Sequence, residues 1–508
     1  MSDELTGRTA ADLAALLRGG AVSAAEAMDA HLRRIEAVNP AVNAVVDLQA
    51  ERAIAGARAA DEHRSAGGRL GPLHGLPVAH KDLIPARGFR FTQGSTLHAE
   101  RVAEVDHVVV ERMQAAGAIS VGKTNVPEFG LGSHSFNAVY GVTRNPWDLS
   151  RTAGGSSGGA GAALAARMLP LADGSDTGGS LRNPASFCGV TALRPSPGTV
   201  PSWPDAHPFG RLSVKGPMGR DVADVALLLS VLTGGDPRAP LSVGLPGAVP
   251  STAGVPGLPA IPGLTPENGE APDPSPGRPL RVAWTPDLAG LATVASEVTE
   301  ALIPVVERAA DALGWEIAID CPDLRPALES FRVQRALQME ATLGPLEREH
   351  PGLLKDDAVW NLEQGRRLTG SDVAAMLRAQ AGIQERMREF FGRYDLLLSP
   401  ACQVAPFPVE ERYPRAIDGA EMANYLDWMT LPAAITGTAC PAMSLPAAFT
   451  AGTRLPVGLQ VVGPFRQERQ LLGHAWQLEQ VLREGDPSLG WAPQIPEGTI
   501  CDPFPEIH

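Results

Sequence analysis

Apolar residues recur with a helical period near the start of the chain. From Leu73 onward they gather into short unbroken runs, and this change of period sets the expected order of elements. Thr9 with Asp12, and Ser23 with Glu26, have the spacing at which a hydroxyl and a carboxylate cap the free N–H groups of a helix start. The first helix is expected to stop at Gly19 and Gly20. The second carries Ala24, Ala27, Met28, Leu32 and Ile35 on one stripe and is expected to end before Pro40. Beyond Leu73, the runs Leu76 to Ala79, Ala118 to Val121 and Leu169 to Ala172 read as buried strands. Helical stretches such as Val105 to Ala116 and Ala160 to Met168 alternate with them. The fold class expected is therefore α/β, a central mixed or largely parallel β-sheet flanked by helices.

The segment from Pro237 to Pro279 breaks this texture with twelve prolines and few aromatic residues. Such a composition cannot bury a core, and a surface insertion or loop is expected there. Strand-like sequence resumes with Arg281-Val282-Ala283-Trp284-Thr285 and returns at Asp395 to Leu398 and Val457 to Val462, with long helical patterns from Val359 to Arg393. No internal repeat is evident, so residues 1–508 read as a single large domain with 237–279 as an insertion within it.

Composition narrows the partners. The chain is 44% hydrophobic and 20% charged, as expected of a globular protein, and its formal charge of -14 argues against a broad nucleic-acid-binding face. No apolar stretch is long enough to span a bilayer, and Met1 to Arg18 lacks the order of features of a signal peptide. Cys188, Cys321, Cys402, Cys440 and Cys501 are scattered, with neither a disulfide framework nor a C-x-x-C metal spacing, so a cytoplasmic location is expected.

Candidate chemistry lies in two glycine- and serine-rich segments, Ala153 to Gly159 and Asp173 to Arg182. Backbone N–H groups gathered in such turns make an anion-binding concavity, which beside a serine could hold the oxyanion of an acyl-transfer intermediate. A flexible linker is a poor alternative because strand-like and helix-like sequence flanks both segments. A phosphate-binding loop would need a lysine after the glycines, and none follows. Gly154-Gly155-Ser156-Ser157-Gly158 also fits G-x-S-x-G, but that nucleophile turn needs an apolar strand before it, and Asn145 to Ala153 reads as a loop. Lys81 closes the apolar run of Gly75-Leu76-Pro77-Val78-Ala79-His80-Lys81-Asp82, where desolvation would lower its pKa and let a neutral amine act as a base.

These three segments, in this order and with Ser156 and Ser180 24 residues apart, resemble the amidase signature family of amide hydrolases. The likeness is good from Thr9 to Thr233 and looser beyond. His80 and Arg194-Pro195 depart from it, since an aliphatic residue usually precedes the lysine and Lys-Pro is usual in place of the second pair. The resemblance implies that Ser180 is the nucleophile, Ser156 the bridging serine after a cis peptide bond, and Lys81 the base. It places the oxyanion among the N–H groups of Thr177, Gly178, Gly179 and Ser180. Ser157 is expected to add a hydrogen bond to this relay, Asp176 and Arg182 to pair in shaping the loop, and Cys188 to be structural.

No cofactor or metal is implied. The partner expected is a small-molecule amide or carbamate, with neither nucleic acid nor membrane, and a homodimer is compatible with the resemblance. Aryl or alkyl amides, nylon-type oligomers and carbamates are the candidate substrates. Phe129 to Phe136, Gln338 to Leu343 and Asn424 to Ile435, with Tyr425, Trp428 and Met429, are candidate pocket walls that core packing explains equally well. Three other readings stay open: the glutaminase-type subunit of a tRNA-dependent amidotransferase, an α/β-hydrolase-like esterase using Ser156, and a non-catalytic binding protein.

Overall fold

A computed structural model describes residues 2–243, 278–490, 492–496 and 498–507. Of the expected proline-rich insertion at 237–279, residues 244–277 lie outside the described residues. Eleven strands form one sheet: β1 (Val45–Val46), β2 (Pro77–Lys81), β3 (Ile119–Thr124), β4 (Leu171–Asp176), β5 (Thr191–Arg194), β6 (Val214–Gly219), β7 (Arg281–Trp284), β8 (Glu316–Ile319), β9 (Leu396–Pro400), β10 (Ala442–Phe449) and β11 (Pro456–Val462). Their order across the sheet is β1-β3-β2-β4-β6-β5-β10-β11-β9-β7-β8. The sheet is mixed. β2 runs parallel to β3 and β4, and β7 to β8 and β9, while the middle of the sheet from β4 to β9 pairs antiparallel.

The continuous apolar runs in the sequence have a structural cause. β2, β4, β9 and β11 are buried along their whole length, so apolar residues serve on both faces, and the polar ones among them, Lys81, Asp173 and Asp176 included, are buried too. Helix Gly158–Ala165 is buried throughout and packs on β2, β3 and β4. Its closeness depends on glycine, since a Cβ on Gly159 would stand 2.3 Å from the Asn125 nitrogen. A separate helical layer, Arg325–Glu349, Asp356–Arg367, Gly370–Arg393 and Thr430–Thr438, packs together in the C-terminal half.

One capping signal holds in full and one in half: Ser23 with Glu26 makes the reciprocal pair, while Thr9 accepts from the Asp12 N–H without a return bond to the Asp12 carboxylate. Gly20 ends helix Ala10–Gly19 with φ +73°, and an unexpected short helix, Ser2–Gly7, precedes it. The end of the second expected helix differs from expectation. Helix Ala24–Val42 continues through Pro40, because Pro40 sits in its last turn and deprives only the exposed Glu36 carbonyl of a partner. Asn39 then ties off the end, its Oδ1 accepting from the N–H groups of Ala44 and Val45. The helical pattern from Val359 to Arg393 is two helices, parted where Thr369 and Asp372 form a capping box. Among the described residues, no helix is long and apolar enough to cross a membrane.

Candidate active site

Three elements converge at one end of β2 and β4. Lys81 is the last residue of β2, and β4 ends with Asp173, Ser175 and Asp176. The loop from Thr177 to Ser180 follows β4 and leads into helix Arg182–Cys188. Ser156 and Ser157 form the turn before helix Gly158–Ala165, and the Gly155–Ser156 peptide is cis.

The Lys81 amine is fully buried. Its Nζ lies 2.8 Å from Ser156 Oγ, 2.8 Å from Ser157 Oγ, 3.0 Å from Ser175 Oγ and 3.2 Å from the Ser175 carbonyl oxygen. Desolvation lowers its pKa to about 7, with Lys215 adding to the effect, while Asp176 and Asp173 oppose it. A neutral amine suits these partners. It donates one proton to the Ser175 carbonyl, which only accepts, and its lone pair can take a proton from a serine hydroxyl.

Asp176 anchors the loop. Its carboxylate accepts from Arg182 Nε and Nη2, both at 3.0 Å, from Arg194 Nη1 at 3.3 Å and from the N–H groups of Gly179 and Leu181. Burial alone would raise its pKa, but the two guanidiniums outweigh burial and hold it well below the usual carboxylate range. Arg182 reaches further, to Gln460 Oε1 at 2.7 Å and Thr436 Oγ1 at 2.8 Å. The expected Asp176–Arg182 pair is therefore part of a larger network, and Arg194, noted only as a departure from the family pattern, is its third charge. Replacing Asp176 with Asn leaves two buried guanidiniums without the carboxylate they share. We expect Asp176→Asn to lose about 3–5 kcal/mol in denaturant unfolding.

The Gly179 N–H already donates to Asp176 Oδ1 at 2.9 Å, so it is committed to holding the loop. The N–H groups of Thr177, Gly178 and Ser180 make no hydrogen bond among the described residues. Gly179 has φ +114°, and a Cβ there would stand 2.7 Å from both Asn183 Oδ1 and Pro432, so glycine is required. Ser180 is partly exposed, and its hydroxyl makes no hydrogen bond among the described residues, whereas Ser156 is only 3% exposed.

Several groups at the site had no assigned role in the sequence reading. Ser133 Oγ donates to the Gly155 carbonyl at 2.6 Å and accepts from Asn183 Nδ2 at 2.9 Å, bracing the turn that carries Ser156. Ser175 sat unassigned within the second glycine-rich segment. Only three-dimensional pairing could have singled out Ser133 and Asn183.

The candidate pocket walls divide. In the stretch Phe129 to Phe136, Gly130 lies against Ser156, and a Cβ there would be 3.5 Å from Ser156 Oγ. In the stretch Asn424 to Ile435, Pro432 roofs Gly179, and Phe331, which the sequence reading missed, stands against Gly178. Tyr425, Trp428 and Met429 are buried core residues instead. The Tyr425 hydroxyl accepts from Arg335 and Asn361, and Trp428 packs against Phe187 and Phe407. In the stretch Gln338 to Leu343, Leu343 belongs to a small apolar cluster with Leu131, Leu354 and Leu362. A separate cavity of about 390 Å³, lined in part by Phe136, Leu354, Lys355 and Phe504, contains none of Lys81, Ser156 and Ser180.

The G-x-S-x-G reading meets a partial correction. A strand, Asp148–Thr152, does precede Gly154, but it is largely polar and pairs with Arg144–Asn145 in a two-stranded ribbon outside the main sheet. The cysteines are unpaired, and burial pushes the Cys188 thiol up, which suits a small core residue.

A mixed sheet with a buried lysine and two serine-bearing turns at its strand ends is the frame of an amide hydrolase, and comparison with known proteins agrees. The amidase family model matches residues 26–472, and the chain belongs to that family. It is 35% identical to an acylamidase of Rhodococcus erythropolis, over 93% of this chain and 95% of that protein. It is also 35% identical to one subunit of the glutamyl-tRNA(Gln) amidotransferase of Acidothermus cellulolyticus, over 95% of this chain and 96% of that one. Among solved structures, a bacterial aryl acylamidase of the amidase signature family superposes with a TM-score of 0.81 at 26% identity, covering 93% of this chain and 96% of the other.

Proposed function

We propose that this amide hydrolase works through an acyl-enzyme on Ser180, with Ser156 and Lys81 as its proton relay, and that its substrates are aryl or alkyl carboxylic amides. The observation that carries this reading is the buried Lys81 amine, 2.8 Å from Ser156 Oγ and held near neutrality by desolvation.

Neutral Lys81 accepts a proton from Ser156 as Ser156 takes one from Ser180, and Ser180 Oγ attacks the amide carbon. The oxyanion is met by the uncommitted N–H groups of Thr177, Gly178 and Ser180, each such donor typically contributing about 3–4 kcal/mol to the transition state. The proton returns through Ser156 to the leaving nitrogen, the C–N bond breaks, and the amine departs. Water, deprotonated by the same relay, then attacks the acyl carbon and releases the acid and Ser180. Every group in this scheme comes from one chain. Unpaired buried thiols support a cytoplasmic setting.

The similarity to amidotransferase subunits supports a second reading, in which the chain releases ammonia from glutamine within a partner complex. Fluorophosphonate labelling with mass-spectrometric mapping tests the primary reading without knowledge of the substrate. Label on Ser180 of the purified chain, together with turnover of simple anilides, is the expected result. Label on Ser156 would refute it, and glutaminase activity appearing only with a co-purified partner would favour the second reading.

A further inference from the structure

His80, where the family usually has an aliphatic residue, is fully buried beside the relay and is not used by it. The pairing of Ala79 with Ala172 sets β2 and β4 so that the next residues, His80 and Asp173, lie side by side. His80 Nδ1 is 2.5 Å from Asp173 Oδ2, and the other carboxylate oxygen, Oδ1, accepts the backbone N–H of Lys81 at 2.9 Å. On its far side, His80 Nε2 lies 2.8 Å from Ser120 Oγ on β3. The imidazole thus bridges the strands on either side of β2, and Asp173 joins it to the backbone of the lysine.

Resting on the function proposed above, we infer that His80 is a positioning residue: through Asp173 it fixes the Lys81 backbone and draws the Asp173 charge away from the Lys81 amine. Asp173 is one of the two carboxylates that favour the charged form of Lys81. An N–H aimed at its outer oxygen spreads that charge. Without this donor the carboxylate acts more fully on the buried amines whose charged form it favours, Lys81 and Lys123, and Lys81 holds its proton to higher pH. The other charged groups around this cluster are Asp176 on β4, Lys123 on β3 with Asp82, and Lys215 on β6 with Asp205, while His107 faces His80 from the start of helix Val108–Ala115. They are the same in every variant below.

The test is the pH dependence of fluorophosphonate labelling at Ser180 in the full chain, with His80→Asn compared against His80→Gln. An Asn amide nitrogen takes the place of Nδ1 and keeps the bond to Asp173, whereas a Gln amide nitrogen takes the place of Nε2 and faces Ser120. The expected result is a near wild-type midpoint for His80→Asn and a midpoint raised by about one pH unit for His80→Gln. In an Asp173→Asn background the His80→Gln change should no longer move it. Equal midpoints in the two His80 variants, even with lowered melting temperatures, would reduce His80 to packing and overturn the inference. Wild-type protein that labels at no serine, or at Ser156, would instead overturn the relay on which it rests.

Discussion

Ser180→Ala should lower kcat on any amide substrate on the order of 10⁵- to 10⁶-fold, leaving only what loop dipoles and binding provide. The hydroxyl is partly exposed and makes no hydrogen bond among the described residues, so its removal leaves no buried group unpaired. The variant should therefore unfold at the wild-type denaturant concentration, and substrate KM should change little. That combination separates a lost nucleophile from a damaged fold. Ser156 is the control. It is only 3% exposed and bonded to Lys81, so Ser156→Ala should also slow turnover, but it should keep Ser180 as the labelled residue. Wild-type turnover in Ser180→Ala would end the assignment and move attention to the Gly154 to Gly158 turn.

Lys81→Met should cost about 10²- to 10⁴-fold in kcat/KM, the usual contribution of a positioned base, and should erase a pH limb. In the proposed relay the amine acts when neutral, so activity should rise with pH through a midpoint at about 7 and then level off. The sign follows from the direction of the shift: desolvation depresses the pKa, which places the neutral form within reach of physiological pH. Methionine keeps the length and apolar stem of the side chain, but it leaves the hydroxyls of Ser156, Ser157 and Ser175 short of a partner. Some loss of stability is expected with it, on the order of 1–3 kcal/mol. A full pH limb near 7 persisting in Lys81→Met would show that another group titrates there.

The sequence and the structure agree best where burial is complete. β2, β3 and β4 were legible from the apolar runs at their starts, but not where they continue into buried polar residues such as Lys81, Lys123 and Asp173; helix Gly158–Ala165 was legible because a glycine- and alanine-rich run must lie close to its neighbours. The three segments that carry Lys81, Ser156 and Ser180 could be found for a related reason, since their glycines answer to local backbone geometry. Long-range polar pairing left no such trace. Ser133 and Asn183 are 50 residues apart and hydrogen-bonded, and nothing local in either residue announces it. Tyr425 and Trp428 were ambiguous because an aromatic residue suits a pocket wall and a core equally. What separated them was Arg335 and Asn361 reaching the Tyr425 hydroxyl from other helices.

The reach of Arg182 to Thr436 and Gln460 has a consequence for the chain as it is being made. Lys81, Ser156 and Ser180 leave the ribosome well before β11, where the side chain that braces their loop finds its last partner. β10 and β11 also supply the strands that close the sheet beside β5. A nascent chain therefore carries these three residues without that brace until Gln460 has been made. A fragment truncated before Gln460 should therefore be inert however well its first half folds.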